Sequence, residues 1–202
     1  SWLEDEDYIL KSPVRRIHRV KTGTNIKETY SDEVLELMRD NCTELRDLAI
    51  IDMLASTGMR VGEMVLLNRN DIDFNERECI VFGKGNKERT VYLNQACINA
   101  VTTYMKVRPH DGVKDRALFL SSRNQRISNR SVQHIVEEYL KKAGLGDRGL
   151  SVHKLRHTAA TLMYQHGNVD VLLLKEILGH ENLSTTEIYT HISNDATKKA
   201  VD

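Results

Sequence analysis

Four side chains near the C-terminal end of the sequence carry groups that suit phosphate chemistry. His153 and Arg156 lie in S-V-H-K-L-R-H-T-A-A-T, His180 follows in I-L-G-H, and Tyr189 follows in S-T-T-E-I-Y-T-H-I. Two imidazoles and a guanidinium can bind a phosphate, and a tyrosine beside them is a candidate nucleophile. Taken alone, each residue also fits a structural or surface role. If the fold brings them together, the predicted chemistry is breakage and rejoining of a nucleic-acid backbone.

His153, Arg156 and His157 are spaced to share one face of a helix near its N-terminus. A helix N-terminus favours anions through its unpaired N–H groups, so this spacing favours a phosphate site. We interpret His157 as a supporting, structural residue. Zinc is a weaker alternative, because it needs a third ligand and H-K-L-R-H lacks the glutamate of H-E-x-x-H. Lys154 and Arg156 would also repel a dication, so we expect no metal.

Arg60 and Lys84 are further candidates from the first half of the chain. Arg60 follows S-T-G-M at the joint between two predicted helices, where it can project into a cleft, and Glu63 is near enough to orient it. The same pattern fits a surface Arg–Glu pair, which contributes little to stability. Lys84 lies in G-K-G-N-K, a predicted hairpin tip from which an ammonium can reach a substrate. In isolation, a solvated turn lysine is the simpler interpretation.

The charges are segregated along the chain although the formal net charge is zero. A duplex-binding domain is usually basic, but the local field depends on where the charges lie. Solvated faces are the alternative interpretation of such charge runs. The basic residues that we predict to contact DNA are Arg15, Arg16, Arg19, Lys21, Lys87 and Arg89.

The length and composition fit one ordinary domain. A chain of 202 residues can bury a core without disulfides or metals. Cys42, Cys79 and Cys97 form no C-x-x-C pair, which favours reduced, packed thiols. The sequence has no apolar run long enough to span a bilayer and no signal-peptide pattern, so we predict a cytoplasmic protein. The predicted DNA contacts add the expectation that it is nucleoid-associated. Since the chain begins at Ser1 without a methionine, we expect a fragment of a longer protein.

The periodicity predicts a mainly helical α+β domain with a small three-stranded antiparallel sheet. Ser31, Thr43, Asn94, Ser128 and Ser151 are predicted helix starts, since short polar side chains cap orphan N–H groups. Further helices are predicted near 61–67, 171–178 and 185–190. Predicted strands cover 71–74, 79–82 and 89–93, and a brief strand covers 117–120.

Five motifs together resemble the catalytic domain of the tyrosine recombinase (phage integrase) family, especially its Xer-like bacterial members. They are T-G-M-R-V-G-E, G-K-G-N-K-E-R-T-V-Y-L, H-K-L-R-H-T-A-A-T, L-G-H and S-T-T-E-I-Y-T-H-I, in the family's order. The resemblance covers about residues 28 to 193. It implies that Tyr189 is the nucleophile and that Lys84 is the hairpin lysine. It also implies that Arg60, His153, Arg156 and His180 are catalytic and that Glu63 supports Arg60.

The resemblance further implies site-specific DNA recombination or integration through a covalent 3′-phosphotyrosine, without a cofactor. The implied partner is double-stranded DNA. The resemblance also implies a protein that is monomeric when free and forms a homotetramer on two duplexes during synapsis. Residues 1–27 would be an interdomain linker and residues 194–202 a C-terminal tail. From the resemblance we also expect that the family's N-terminal DNA-clamping domain is not included in this chain.

Two other functions are compatible with these residues. A type IB topoisomerase-like enzyme would share the chemistry but relax supercoils without synapsis. A catalytically silent DNA-binding protein would bind DNA without forming a covalent adduct.

Overall fold

The computed structural model describes residues 30–83, 88–110, 116–166 and 169–179. Within these ranges seven α-helices and one three-stranded sheet form the α+β fold that the sequence predicts. The predicted linker, the tail and the helix near 185–190 lie outside the described residues. In the described part, no helix is both long enough and apolar enough to cross a bilayer.

The helices begin where short polar residues supply a cap. The hydroxyl or amide oxygens of Ser31, Asn94 and Ser128 accept hydrogen bonds from the first helical turns, as predicted. Thr43 was the wrong start for the second helix, because Glu44 occupies the cap position without a side-chain bond. The helices are α1 (Asp32–Asp40), α2 (Leu45–Thr57), α3 (Val61–Leu66), α4 (Gln95–Val107), α5 (Asn129–Lys142), α6 (Val152–His166) and α7 (Val171–Leu178).

The sheet is an antiparallel meander of β1 (Ile72–Asp73), β2 (Glu78–Phe82) and β3 (Glu88–Tyr92), in that order. Cys79 pairs with Val91 on the buried face, while Ile80 on the next position is exposed. This alternation is the pattern of a sheet with one face packed on the core. The predicted strand at 117–120 is wrong, because that segment forms only isolated bridges, Asn68 with Ala117 and Leu120 with Arg126.

Helix α2 lies at the centre of the core. Its residues Ile50, Ile51, Met53 and Leu54 are almost completely buried, because α2 packs between α4 and α6. A helix that is apolar around most of its surface is stable only when it is surrounded in this way. A smaller apolar cluster joins α6 to α7, so α7 is fixed against the same helix that carries His153 and Arg156.

All three cysteines are thiols that belong to or pack against the core. Burial raises the pKa of Cys79 and of Cys97 to about 12, and it raises the pKa of the half-buried Cys42 to a similar value. At neutral pH these thiols are therefore protonated, and they behave as small apolar groups.

Candidate active site

The loop that carries Arg60 is fixed by a glycine at the end of α2. Gly58 has a φ of 61°, and a Cβ there would lie 3.0 Å from Leu178 Cδ2 and 3.2 Å from Ala159 Cβ. Only glycine fits this backbone and this approach without strain. The close contact brings the α2–α3 loop against α6 and α7.

Arg60 occupies the N-cap position of α3, and Glu63 in the first turn accepts from it. The Arg60 backbone N–H donates to Glu63 Oε2 at 2.7 Å, and Arg60 Nη1 donates to Glu63 Oε1 at 3.0 Å. The Arg60 side chain remains 43% exposed, whereas that of Glu63 is only 5% exposed. The buried carboxylate therefore holds a guanidinium that still faces solvent.

Arg156 approaches the same place from α6. It is buried, and its Nη1 donates to Gly58 O, two residues before Arg60. Its Nη2 donates to Leu178 O at 2.6 Å. Arg60 Nη2 in turn donates to the next carbonyl, Gly179 O, at 3.0 Å. The structure thus brings Arg60 and Arg156 to one point at the end of α7.

Arg89 joins this cluster, although the sequence analysis grouped it with the basic residues that are predicted to contact DNA. Its Nη1 and Nη2 donate to Oε1 and Oε2 of Glu63, both at 2.7 Å, and its Nε donates to Ile177 O at 2.9 Å. The side chain is only 12% exposed. The guanidinium is therefore turned into the protein, where it is paired with a carboxylate 26 residues earlier in the chain.

Three arginines consequently bind three successive carbonyls at the C-terminal end of α7. Arg89, Arg156 and Arg60 donate to the carbonyls of residues 177, 178 and 179, respectively. The last carbonyls of a helix lack partners within it and carry the negative end of its dipole, so cations stabilise them. Arg60 and Arg89 share the single carboxylate of Glu63, so the three guanidiniums together leave a net positive charge in the cluster.

Glu63 is ionised in this setting. Burial alone would raise its pKa, but the hydrogen bonds and positive charges of Arg89 and Arg60 hold the pKa of the Glu63 carboxyl below its ordinary value. The ionised form is the one that can accept from both guanidiniums and from the Arg60 N–H.

His153 and His157 lie together on α6, as their spacing predicts. Their ring centroids are 5.2 Å apart with the planes at 80°, an edge-to-face contact. His153 is exposed in the first turn, and His157 is half-buried. His153 is thus the more accessible of the two, on the helix that also carries Arg156. In the described ranges, no three His, Cys, Asp or Glu side chains are grouped to hold a metal ion.

Known proteins resemble this chain along most of its length. The sequence profile described as the phage integrase family matches residues 11–195. The chain belongs to the phage integrase family. Tyrosine recombinase XerC of Caldanaerobacter subterraneus subsp. tengcongensis is 54% identical over 158 residues, which are 78% of this chain and 44% of that protein.

Two solved structures share the fold of this phage integrase family member. The XerA recombinase superposes with a TM-score of 0.76 at 31% identity, covering 85% of this chain and 63% of that one. The XerH site-specific recombinase, bound to palindromic difH substrate in a post-cleavage complex, gives a TM-score of 0.76 at 26% identity, covering 92% and 55%. This chain therefore spans between 44% and 63% of the length of these relatives.

The other predicted site residues of this phage integrase family member lie outside the described residues. They are Lys84, His180 and Tyr189 among the predicted catalytic groups, and Arg15, Arg16, Arg19, Lys21 and Lys87 among the predicted DNA contacts. Gly179, the last described residue, directly precedes His180 in the sequence, and its carbonyl accepts from Arg60.

The contact between Arg89 and Glu63 was missed by sequence reasoning, although β3 contained a signal for it. In E-R-T-V-Y the side chains alternate between the two faces, so Arg89 shares a face with Val91. Val91 is completely buried, which places Arg89 on the core side of the sheet. An arginine on a buried face needs an anionic partner, and Glu63 supplies it.

Replacing Glu63 with glutamine is expected to destabilise the fold by about 3 kcal/mol at neutral pH, because two arginines lose their carboxylate. Since its folded-state pKa lies below the ordinary value of 4.5, this contribution is fully present above pH 4.5 and is lost as pH falls through the lowered pKa. Denaturant unfolding of wild type and Glu63→Gln near pH 7 and pH 3.5 measures the difference in the free energy of unfolding.

The control for this prediction is Glu138→Gln, which removes an exposed carboxylate and should change stability little at either pH. A Glu63→Gln effect that is equal at both pH values would contradict this assignment.

Proposed function

We propose that this chain is the catalytic domain of a site-specific tyrosine recombinase that cuts and rejoins duplex DNA through a 3′-phosphotyrosyl intermediate. The observation that carries the proposal is the meeting of Arg60 and Arg156 at the C-terminal end of α7. Two guanidiniums at one point suit a phosphodiester, whose two non-bridging oxygens share one negative charge. In this proposal, residues 28–193 form the domain, with a linker before it and a tail after it.

The arginines would act by electrostatic stabilisation. Attack on a phosphodiester adds negative charge to an anionic centre, and fixed positive charge lowers the energy of that transition state. Arg60 is exposed enough to contact the phosphate directly, while Arg156 is buried, where water screens its charge least. His180 comes directly after Gly179 in the sequence, so in this proposal it would add a further hydrogen-bond donor to the phosphate.

The reaction would need two proton transfers, one from the attacking phenol and one to the departing 5′ oxygen. Tyr189 has a phenol whose ordinary pKa is about 10, so forming its phenolate at pH 7 costs about 4 kcal/mol. His153 would accept that proton or bind a phosphate oxygen. Lys84 would act as general acid and give a proton to the departing 5′ oxygen. The new phosphotyrosine keeps the energy of the ester, so rejoining uses neither ATP nor a metal.

Double-stranded DNA is the partner that this chemistry requires, which makes nucleoid association the expected location. The named relative XerH is described in complex with its difH substrate. We propose that Arg15, Arg16, Arg19, Lys21 and Lys87 contact the DNA backbone. Exchange of strands between two duplexes needs four nucleophiles, so we propose a tetramer on two duplexes, assembled from subunits that are monomeric when free.

Covalent trapping tests the proposed function without knowledge of the target site. The 202-residue chain is incubated with a pool of duplexes that carry a randomised central segment and a nick in one strand. Cleavage close to the nick lets the short 5′-hydroxyl fragment diffuse away, so the protein stays attached to DNA. We expect an adduct that survives SDS, together with a released strand that polynucleotide kinase labels without prior phosphatase treatment. Non-covalent retention alone would indicate a DNA-binding protein and would contradict the proposal.

A further inference from the structure

Arg89 makes the contacts of a residue that holds others in place. Its guanidinium fork binds both oxygens of Glu63, and its Nε binds Ile177 O. Bidentate pairing fixes the carboxylate in orientation as well as distance. Glu63 has only 5% of its side chain exposed, so this orientation is set inside the protein.

We propose that Arg89 is a positioning residue for DNA cleavage, acting through Glu63 on Arg60, and not a DNA contact. This inference rests on the proposed function. Glu63 Oε1 accepts from Arg60 Nη1 and from Arg89 Nη1, so both guanidiniums are held by the same oxygen. The position of the exposed guanidinium of Arg60 therefore depends on where Arg89 holds the carboxylate.

Charge gives a second reason for this dependence. With Arg89 present, the negative charge of Glu63 is shared between two guanidiniums, and Arg60 keeps part of its field for a phosphate. Without Arg89, the buried carboxylate would be paired with Arg60 alone. A buried carboxylate attracts its remaining partner strongly, so Arg60 would be drawn toward Glu63 and away from solvent.

Arg89 also fixes the end of α7. The backbone at Gly179 lies so close to Arg89 that a Cβ there would meet its Cδ and Nη1 at 3.3 Å. The same Gly179 carbonyl accepts from Arg60, and Ile177 O accepts from Arg89. Both arginines therefore contact the same turn. Moving Arg89 would shift both partners of the Arg60 guanidinium, which are the Glu63 carboxylate and the Gly179 carbonyl.

The test separates the rate of cleavage from the affinity for DNA. Single-turnover cleavage by Arg89→Gln is measured at saturating protein on a site selected from the trapped pool, and Kd is measured in the Tyr189→Phe background. We expect cleavage to slow at least about 30-fold, with Kd changed less than about threefold and the dependence of Kd on salt unchanged. A DNA contact would instead raise Kd and reduce the salt slope by about 1, and this result would overturn the inference.

The matched control is Arg39→Gln, which removes another arginine from a buried carboxylate. Arg39 binds Asp52 at 2.6 Å, with the carboxylate side chain 6% exposed, and neither residue contacts the arginine cluster in the described structure. We expect Arg39→Gln to lower Tm but to cleave within about threefold of wild type. If both variants slow cleavage equally, Arg89 contributes only to stability and the inference is wrong.

A charge-compensating variant tests whether Arg89 acts through Glu63. In Arg89→Gln/Glu63→Gln the cation and the anion are removed together, so Arg60 is no longer drawn inward by an unshared carboxylate. We expect the double variant to cleave at least about fivefold faster than Arg89→Gln alone. No recovery would show that Arg89 does not act through Glu63.

Arg89→Lys keeps the test decisive if Arg89→Gln does not fold. Lysine keeps the charge but lacks the fork that binds two oxygens and Ile177 O, so we expect cleavage about tenfold slower with Kd unchanged. Wild-type cleavage by Arg89→Lys would overturn the inference while leaving the proposed function intact. Failure of the wild-type chain to form any adduct would overturn both.

Discussion

Replacing Tyr189 with phenylalanine is expected to abolish the covalent adduct while changing the affinity for DNA less than about threefold. The ring remains, but the oxygen that would attack phosphorus is gone, and the proposed mechanism assigns the attack to no other group. SDS gels of the nicked duplex pool report the adduct, and fluorescence anisotropy on a selected site reports Kd.

Tyr92→Phe is the matched control for this loss. Tyr92 is an exposed tyrosine on the outer face of β3, where its side chain is away from the arginine cluster. We expect this variant to form the adduct at the wild-type rate. A covalent adduct that persists in Tyr189→Phe would remove Tyr189 from the role of nucleophile.

Replacing Arg156 with lysine is expected to slow single-turnover cleavage by about 100- to 1000-fold, the usual cost of removing a donor that stabilises developing negative charge. Lysine keeps one positive charge but cannot bind Gly58 O and Leu178 O together as the guanidinium does. The loop before Arg60 and the end of α7 would then lose a shared donor. Rapid-quench kinetics at saturating protein measure the rate, and thermal denaturation measures the accompanying loss of stability.

Arg126→Lys distinguishes catalysis from folding. Arg126 also binds backbone carbonyls, Val65 O at 2.7 Å and Leu67 O at 3.0 Å, but at the other end of α3 from Arg60. We expect a lower Tm and cleavage within about threefold of wild type at a temperature where both variants are folded. Equal losses of rate in the two variants would mean that Arg156 contributes through stability alone.

Much of the fold could be predicted from local signals in the sequence. Ser31, Asn94 and Ser128 could be predicted as caps because each side chain accepts a hydrogen bond from an N–H only three residues later. The same local rule failed at Thr43, because the cap position of α2 is one residue later, at Glu44, which makes no side-chain cap bond. Residues 117–120 are apolar and buried, but they form no ladder because their two ends pair with different segments, at Asn68 and at Arg126.

The site could be predicted only where its contacts are local. Arg60 and Glu63 are three residues apart, so their pairing follows from sequence spacing. Arg89 lies 26 residues from Glu63 and 88 from Ile177, so its burial depends on how β3 packs against α7. The family resemblance supplied roles for single residues, whereas the shared carboxylate and the three carbonyls of α7 required the folded chain.

The most direct test of the account is to identify the residue that is joined to DNA. Trypsin digestion of the trapped complex should release residues 176–198, in which Tyr189 is the only tyrosine. We predict that mass spectrometry finds this peptide carrying a nucleotide through a 3′-phosphate on Tyr189. A nucleotide attached to any other residue, or to Tyr189 through a 5′-phosphate, would contradict the account.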